Sequence, residues 1–237
     1  MQEGQTVAPV RGIGGTLFHD STDGYAGYAI ALLRLRRKTP VLGPPMAVRR
    51  IRLLGDPILR QRCQRVEKPS SAAVRLVADD LRDTLKAAKQ KHGMGRALSA
   101  PQIGAPVRLV VVDVDGMKQR LVMVNPEITD VGPKDFQVWD DCFSFPDLLV
   151  RVNRAMQVTV AYEDLKGRPH TLQCEGPMAE LMQHEVDHLD GILAVDRAVG
   201  LDPFAFRSEW EKYHLPAERY GVPYPREAPD EAIATRL

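Results

Sequence analysis

The stretch that most constrains this chain is Gln183-His184-Glu185-Val186-Asp187-His188-Leu189-Asp190-Gly191. On an α-helix, two histidines four residues apart lie on one face, one above the other, so both imidazoles reach a single metal ion. Glu185, the residue after the first histidine, brings a carboxylate within reach of a water on that metal and can take its proton. Two histidines leave a catalytic site one ligand short, because such sites use three protein ligands and an open position. The third ligand has to come from elsewhere in the chain.

Three cysteines are available. Their odd number and wide spacing make no disulfide framework and fit a reducing compartment. Cys63 lies among Arg60, Arg62 and Arg65 and is expected at the surface. Cys174 ends a strand-like run and is expected to fill core space, since a free cysteine behaves as a small hydrophobe. Cys142 sits in Trp139-Asp-Asp-Cys-Phe-Ser-Phe-Pro146, an irregular or bulged segment from which a thiolate can point inward. Position alone favours Cys142 over Cys174 only modestly. A further stretch, Gly93-Met-Gly-Arg-Ala-Leu-Ser-Ala-Pro-Gln-Ile-Gly104, crowds small residues between a helix end and a strand. Small residues let backbone approach a ligand, and Gln102 adds an amide donor. Taken alone this is a long helix-to-strand turn.

In 237 residues the 32 basic and 31 acidic side chains nearly cancel, so no global field argues for nucleic acid or a membrane. The longest apolar stretch, Ala26 to Leu33, is far shorter than the ~20 residues that span a bilayer. Its basic cluster follows the apolar run, whereas a secretory signal places it before. A soluble, cytoplasmic protein is expected. Residues 1–45 are glycine-rich and aperiodic, and read as a dispensable extension; the alternative is a basic arm touching ribosomal RNA. Residues 46–200 read as the catalytic domain, and 201–237 as a helix over Leu201 to Tyr213 followed by a proline-rich tail.

Within the domain, Val74, Val77, Leu81, Leu85 and Ala88 predict an amphipathic helix from Ser70-Ser71 to Gly93. Val107 to Val114 predicts a buried strand that Asp115-Gly116 turns toward Leu121–Val124. Met156 to Tyr162 alternates with polar residues and turns at Lys166-Gly167 into His170–Cys174, a second hairpin. The histidine helix starts near Pro177 to Ala179 and stops at Gly191. This order argues for an α+β fold of mostly antiparallel sheets packed around a central metal-binding helix.

Together, Gly95-Arg-Ala-Leu-Ser-Ala-Pro-Gln102, Asp140-Asp-Cys-Phe-Ser144 and His184-Glu-Val-Asp-His188 resemble, in this order, the signature segments of the peptide deformylase family. Arg52-Leu-Leu-Gly-Asp-Pro-Ile-Leu59, Asn125-Pro126 and Leu189-Asp-Gly-Ile-Leu193 extend the likeness, which covers about residues 47 to 197. The resemblance implies that Cys142, His184 and His188 hold one divalent ion. Fe(II) is typical of the family, and Zn(II), Ni(II) or Co(II) can take its place. It also implies Glu185 as the proton carrier, with the Gln102 amide and the Phe143 backbone N–H as donors to a developing oxyanion. The implied reaction removes the formyl group from the N-terminal methionine of nascent polypeptides and releases formate. The implied partner is a formylated peptide or nascent chain, with transient ribosome contact, no specific nucleic acid and no membrane. Gly95, Ala97, Asp140 and Leu149 are the implied substrate contacts.

Several positions depart from the family pattern. Ala97 stands for its second glycine, Ser99 for an alanine, Asp140 for a glutamate, Asp141 for a glycine and Phe143 for a leucine. If the Asp141 position has positive φ, aspartate is among the few tolerable replacements. Leu149 stands where many bacterial members carry an arginine that grips substrate. Three alternatives stay open. The first is a zinc metallopeptidase with Glu209 or Glu211 as third ligand, and the second a homologue that binds metal without hydrolysing. The third has no metal and leaves His184 and His188 in the core, where unpaired polar groups are costly.

Overall fold

Leu109-Val-Val-Val112 has no polar position because both of its faces are covered. This strand, β2, lies in a five-stranded antiparallel sheet with β1 (Ala97–Ser99), β3 (Leu121–Val131), β6 (Gln157–Glu163) and β7 (Pro169–Glu175). The strand order is β1-β2-β3-β6-β7. Helix α1 (Ala72–His92) covers one face, where Leu81, Leu85 and Ala88 pack on Leu109 and Val111. Helix α2 (Pro177–Leu189) covers the other, where Leu181, Met182 and Leu189 pack with Val110 and Val112. Leu81 and Leu85 are fully buried, which stabilises the fold by roughly 2 kcal/mol each. The structure is a computed structural model that describes residues 48–114 and 120–214. The expected N-terminal extension, the Asp115-Gly116 turn and the proline-rich tail lie outside those residues.

A second antiparallel sheet, order β4-β5-β8, joins β4 (Asp135–Asp141), β5 (Leu148–Ala155) and β8 (Phe204–Phe206). Helix α2 touches β1, β3, β6 and β7 of the first sheet and β5 of the second, so the histidine helix is central as the fold class requires. The two expected hairpins are present, with Leu109 opposite Val124 and Val158 opposite Cys174. Helix α1 starts at its Ser71 cap, whose hydroxyl accepts from the Val74 N–H at 3.3 Å, and ends at Gly93 with φ 67°. Among the described residues no helix is long and apolar enough to cross a membrane.

Three expectations need correction. The segment before Cys142 is not irregular: it is strand β4, and Cys142 begins the loop of a third hairpin, β4–β5. Its alternation is hidden because Trp139, Asp140 and Asp141 are all buried, so polar residues stand where a half-exposed strand would have apolar ones. Leu201 to Tyr213 is not one helix: Phe204–Phe206 pairs with β5 first, and α3 (Arg207–Tyr213) follows. Cys63 is not at the surface. It is 5% exposed, and its N–H donates to Leu189 O at 2.8 Å while Arg60, Arg62 and Arg65 carry the solvent side in ion pairs with Asp196, Asp190 and Glu163.

The C-terminal end of α2 is locked by backbone. Gly191 has φ 75°, and a Cβ there would lie 2.6 Å from Arg60 O and 2.8 Å from Arg60 C. Gly200 also has positive φ, 89°, but nothing lies within 4 Å of a Cβ built there. Gly191→Ala is therefore expected to lower stability by about 3 kcal/mol in urea unfolding, from strain plus overpacking. Gly200→Ala should lower it by about 1 kcal/mol from strain alone; equal losses would contradict this account.

Burial pushes the Cys63 thiol up to about 12, with Arg108 opposing, and the Cys174 thiol up to about 11. At pH 8 only about one Cys63 in ten thousand is thiolate, the reactive form. Native protein treated with iodoacetamide at pH 8 should keep both unmodified by mass spectrometry, and urea-unfolded protein should lose both.

Candidate active site

The α2 helix delivers three polar side chains to one buried place. Pro177 starts it, suited to a first helical position where no N–H is needed. One turn apart, His184 and His188 are 6% and 1% exposed, and their rings meet edge to face with centroids 4.8 Å apart. The β4–β5 loop brings Cys142 to them, with its Sγ 3.2 Å from His188 Nε2. Ligand atoms of Cys142, His184 and His188 all lie within 4.8 Å of one another. A tetrahedral ion with one sulfur and two nitrogen donors separates S from N by about 3.6 Å, so the thiol and imidazoles are spaced to share one divalent ion. A mixed thiolate–imidazole set suits Fe(II) or Zn(II).

Asp140, Glu180 and His184 also converge within 4.8 Å. Their atoms already have partners: Asp140 Oδ1 is 2.9 Å from His184 Nδ1, and Glu180 Oε2 is 2.5 Å from Arg96 Nη2. With Nδ1 engaged by Asp140, Nε2 of His184 is the nitrogen available to a metal. The Asp140 carboxylate also accepts from Arg154 Nη2 at 2.8 Å, and Arg154 Nη1 donates to Asp187 Oδ2 at 2.5 Å. Arg197 closes the chain on Asp187 with two bonds, of 2.6 and 2.5 Å.

Charge follows this wiring. Burial works to raise Asp140, but His184 and Arg154 hold its carboxyl well below the usual range. Burial works to lower His184, but the Asp140 carboxylate outweighs it and raises the ring well above its ordinary value. Burial and the neighbouring His184 charge push His188 well down, toward the neutral ring that binds metals. Glu185 is raised by burial, with His184 and a Ser99 hydrogen bond opposing.

The other expected residues line the same place, with one exception. Glu185, Gln102, Phe143, Gly95, Ala97 and Asp140 all border a cavity of about 20 Å³ against Cys142 and His184. Gln102 has its orientation set at both ends. Its Oε1 accepts from the Ser99 N–H at 2.9 Å, while its Nε2 donates to Cys142 Sγ and Ser144 Oγ, both at 3.3 Å. Gly95 is obligatory: its φ is 105°, and a Cβ would lie 2.0 Å from Phe143 Cζ. Ala97 also packs into the core on β1. Asp140 has both oxygens committed to His184 and Arg154, so its place is beside the histidine, not free to meet substrate. Leu149 is the exception. It is fully buried with Trp139 and Trp210 and does not reach the cavity. Asp141 is not among the positive-φ residues; it ends β4 and pairs with Arg207 at 2.5 Å. Glu209 and Glu211 are exposed on α3, and neither is in the cluster with His184 and His188.

Four residues at the site were not singled out for it by sequence. Ser99 is fully buried and its hydroxyl donates to the Glu185 carboxylate. A hydroxyl in an otherwise apolar run was its signal. Glu180 lies one turn before His184 on the same face and is 1% exposed. Its spacing from His184 was the signal, and Arg96 between two small residues was the signal for its partner. Arg154 carried none, being one arginine among several in a strand.

A family model described as Polypeptide deformylase matches residues 48–203. The peptide deformylase of Heliobacterium modesticaldum is 40% identical over 158 residues, covering 67% of this chain and 99% of that protein. That of Dictyoglomus thermophilum is 38% identical over 152 residues, covering 64% of this chain and 94% of its own length. The Met-Ala-Ser-bound crystal structure of the class I type b peptide deformylase from Acinetobacter baumannii superposes with a TM-score of 0.59 at 30% identity. That match covers 64% of this chain and 99% of that one. With its thiol and two imidazoles converging beside a buried glutamate, and a match that spans nearly the whole of these relatives, this chain belongs to the peptide deformylase family.

Proposed function

We propose that this chain hydrolyses the formyl amide at the amino terminus of peptides and nascent chains, releasing formate and a free amine. The observation that carries this is the convergence of Cys142, His184 and His188 with Glu185 and Gln102 on one buried cavity. Cys142, His184 and His188 would hold a divalent ion, Fe(II) in the cell and Zn(II), Ni(II) or Co(II) in substituted protein. When bound, that ion acidifies water and polarises a carbonyl.

The chain's own groups supply the rest. Glu185, held toward the cavity by the Ser99 hydroxyl, takes a proton from the attacking water and delivers it to the leaving nitrogen. Burial raises this carboxyl, which brings its basicity closer to that needed for both halves of the transfer. The Gln102 amide, fixed by Ser99, donates to the formyl oxygen as charge develops there, and the Phe143 N–H beside Cys142 adds a second donor. One such donor is worth ~3–4 kcal/mol of barrier. Asp140 sets the His184 tautomer, and Arg154 and Asp187 hold Asp140 in turn.

Three measurements test this reading. Cys142→Ala is expected to abolish metal content by elemental analysis, whereas Glu209→Ala and Glu211→Ala keep it; the opposite pattern would favour a metallopeptidase. Asp140→Asn should weaken metal affinity about 10–100-fold in a chelator competition. Formate release from formyl-Met-Ala-Ser by the Ni(II)-loaded protein should fall roughly 10²–10⁴-fold in Glu185→Gln, which keeps its metal. Wild-type release no greater than that of Glu185→Gln would leave a metal-binding homologue without hydrolysis.

A further inference from the structure

The cavity at the metal ligands is narrow and one of its walls is charged. Its volume of about 20 Å³ holds a single water. Met94, Gly95, Arg96, Ala97, Glu180 and Leu181 are among the residues that line it. On its wall, Arg96 Nη2 meets Glu180 Oε2 at 2.5 Å, and Arg96 Nη1 donates to Pro177 O at 2.9 Å. Glu180 is one helical turn from His184, with carboxylate and ring within 4.8 Å. A formyl carbon at the metal ligands is one residue's length from the first side chain of the peptide, and the Arg96–Glu180 pair lies within that range in the same cavity.

Chemistry then separates short side chains from long apolar ones. Glycine, alanine or serine leaves the ion pair in place, and a serine hydroxyl can hydrogen-bond to it. A methionine thioether is long and apolar, and has to lie against both charges or displace one of them. The wall that can yield is Arg96, whose side chain is 23% exposed, because Glu180 is buried on the helix and Phe143 is packed onto Gly95. Moving Arg96 away strands a buried carboxylate beside an apolar group that cannot satisfy it, and an uncompensated buried charge is strongly unfavourable.

We infer that Arg96 and Glu180 are specificity-determining residues that select formyl amides with a short, polar first side chain over formyl-methionine. This rests on the deformylase reading above. The two substrates to compare are formyl-Ser-Ala-Ser and formyl-Met-Ala-Ser, which differ only in the side chain that meets the pair. With the full chain loaded with Ni(II), kcat/KM for the serine peptide should exceed that for the methionine peptide by about tenfold or more. Arg96→Val combined with Glu180→Ile removes both charges, leaves neither stranded, and should move the ratio about tenfold toward methionine. Glu180→Gln, close in shape, should move it about threefold in the same direction and serves if the double variant does not fold. A wild-type preference for methionine, or a ratio that neither variant moves, would overturn the inference and leave the deformylase reading intact. Release from neither peptide above the Glu185→Gln background would overturn both.

Discussion

Asp140 joins the fold to the site. Its carboxylate, one residue before the end of strand β4, lies 2.9 Å from His184 Nδ1 on α2 and accepts from Arg154 on β5, so three elements meet at two oxygens. All three side chains are buried, and each charge is tolerable only because the others are present. Asp187 and Arg197 carry the alternation of sign out toward solvent, where the Arg197 side chain is 43% exposed. The metal helix is therefore docked to the second sheet by an ionic chain and to the first sheet by apolar packing. The first fixes which ring nitrogen is offered and in what direction, and the second fixes how deep the helix lies.

How much of this the sequence reveals depends on the range of the interaction. The histidine helix, the α1 helix and both outer hairpins are written in local periodicity and in turn residues, so Ser71, Gly93, Pro177 and Gly191 mark their ends. Strand β4 is not legible, because the side chains that should show alternation, Trp139 to Asp141, meet partners from distant segments on both faces. Cys63 misleads for the same reason: its charged neighbours describe the outer side of the chain, while the backbone of Leu189 claims the inner side. Of the site, the ligands, Glu185 and Gln102 are legible from residue type and spacing. The roles of Ser99, Arg96 and Arg154 depend on pairings across 81 or more positions, or, for Arg154, on two carboxylates 14 and 33 positions away. No window of sequence contains those.

Three of the positions at which this chain departs from its family pattern are matched by a partner. Ser99, in place of alanine, holds Glu185. Asp141, in place of glycine, is neutralised by Arg207. Leu149, in place of an arginine, is packed by Trp139 and Trp210. A buried charge or a methylene introduced alone would be destabilising; introduced with its complement it becomes a different but consistent packing. Cys142, His184, His188 and Glu185, the proposed ligands and proton carrier, stay as the family pattern has them, so the changes cluster on what surrounds the proposed chemistry.

Two of those partners, Arg207 and Trp210, lie beyond residue 203, where the family match ends. Strand β8 and helix α3 consequently act as a buttress for the hairpin that carries Cys142, although they lie beyond the family match. A chain cut back to the shared length would keep every ligand yet open a hydrophobic face on Leu149 and Trp139 and strand Asp141. The family match alone would draw the edge of the folded unit at residue 203, short of the helix that closes it.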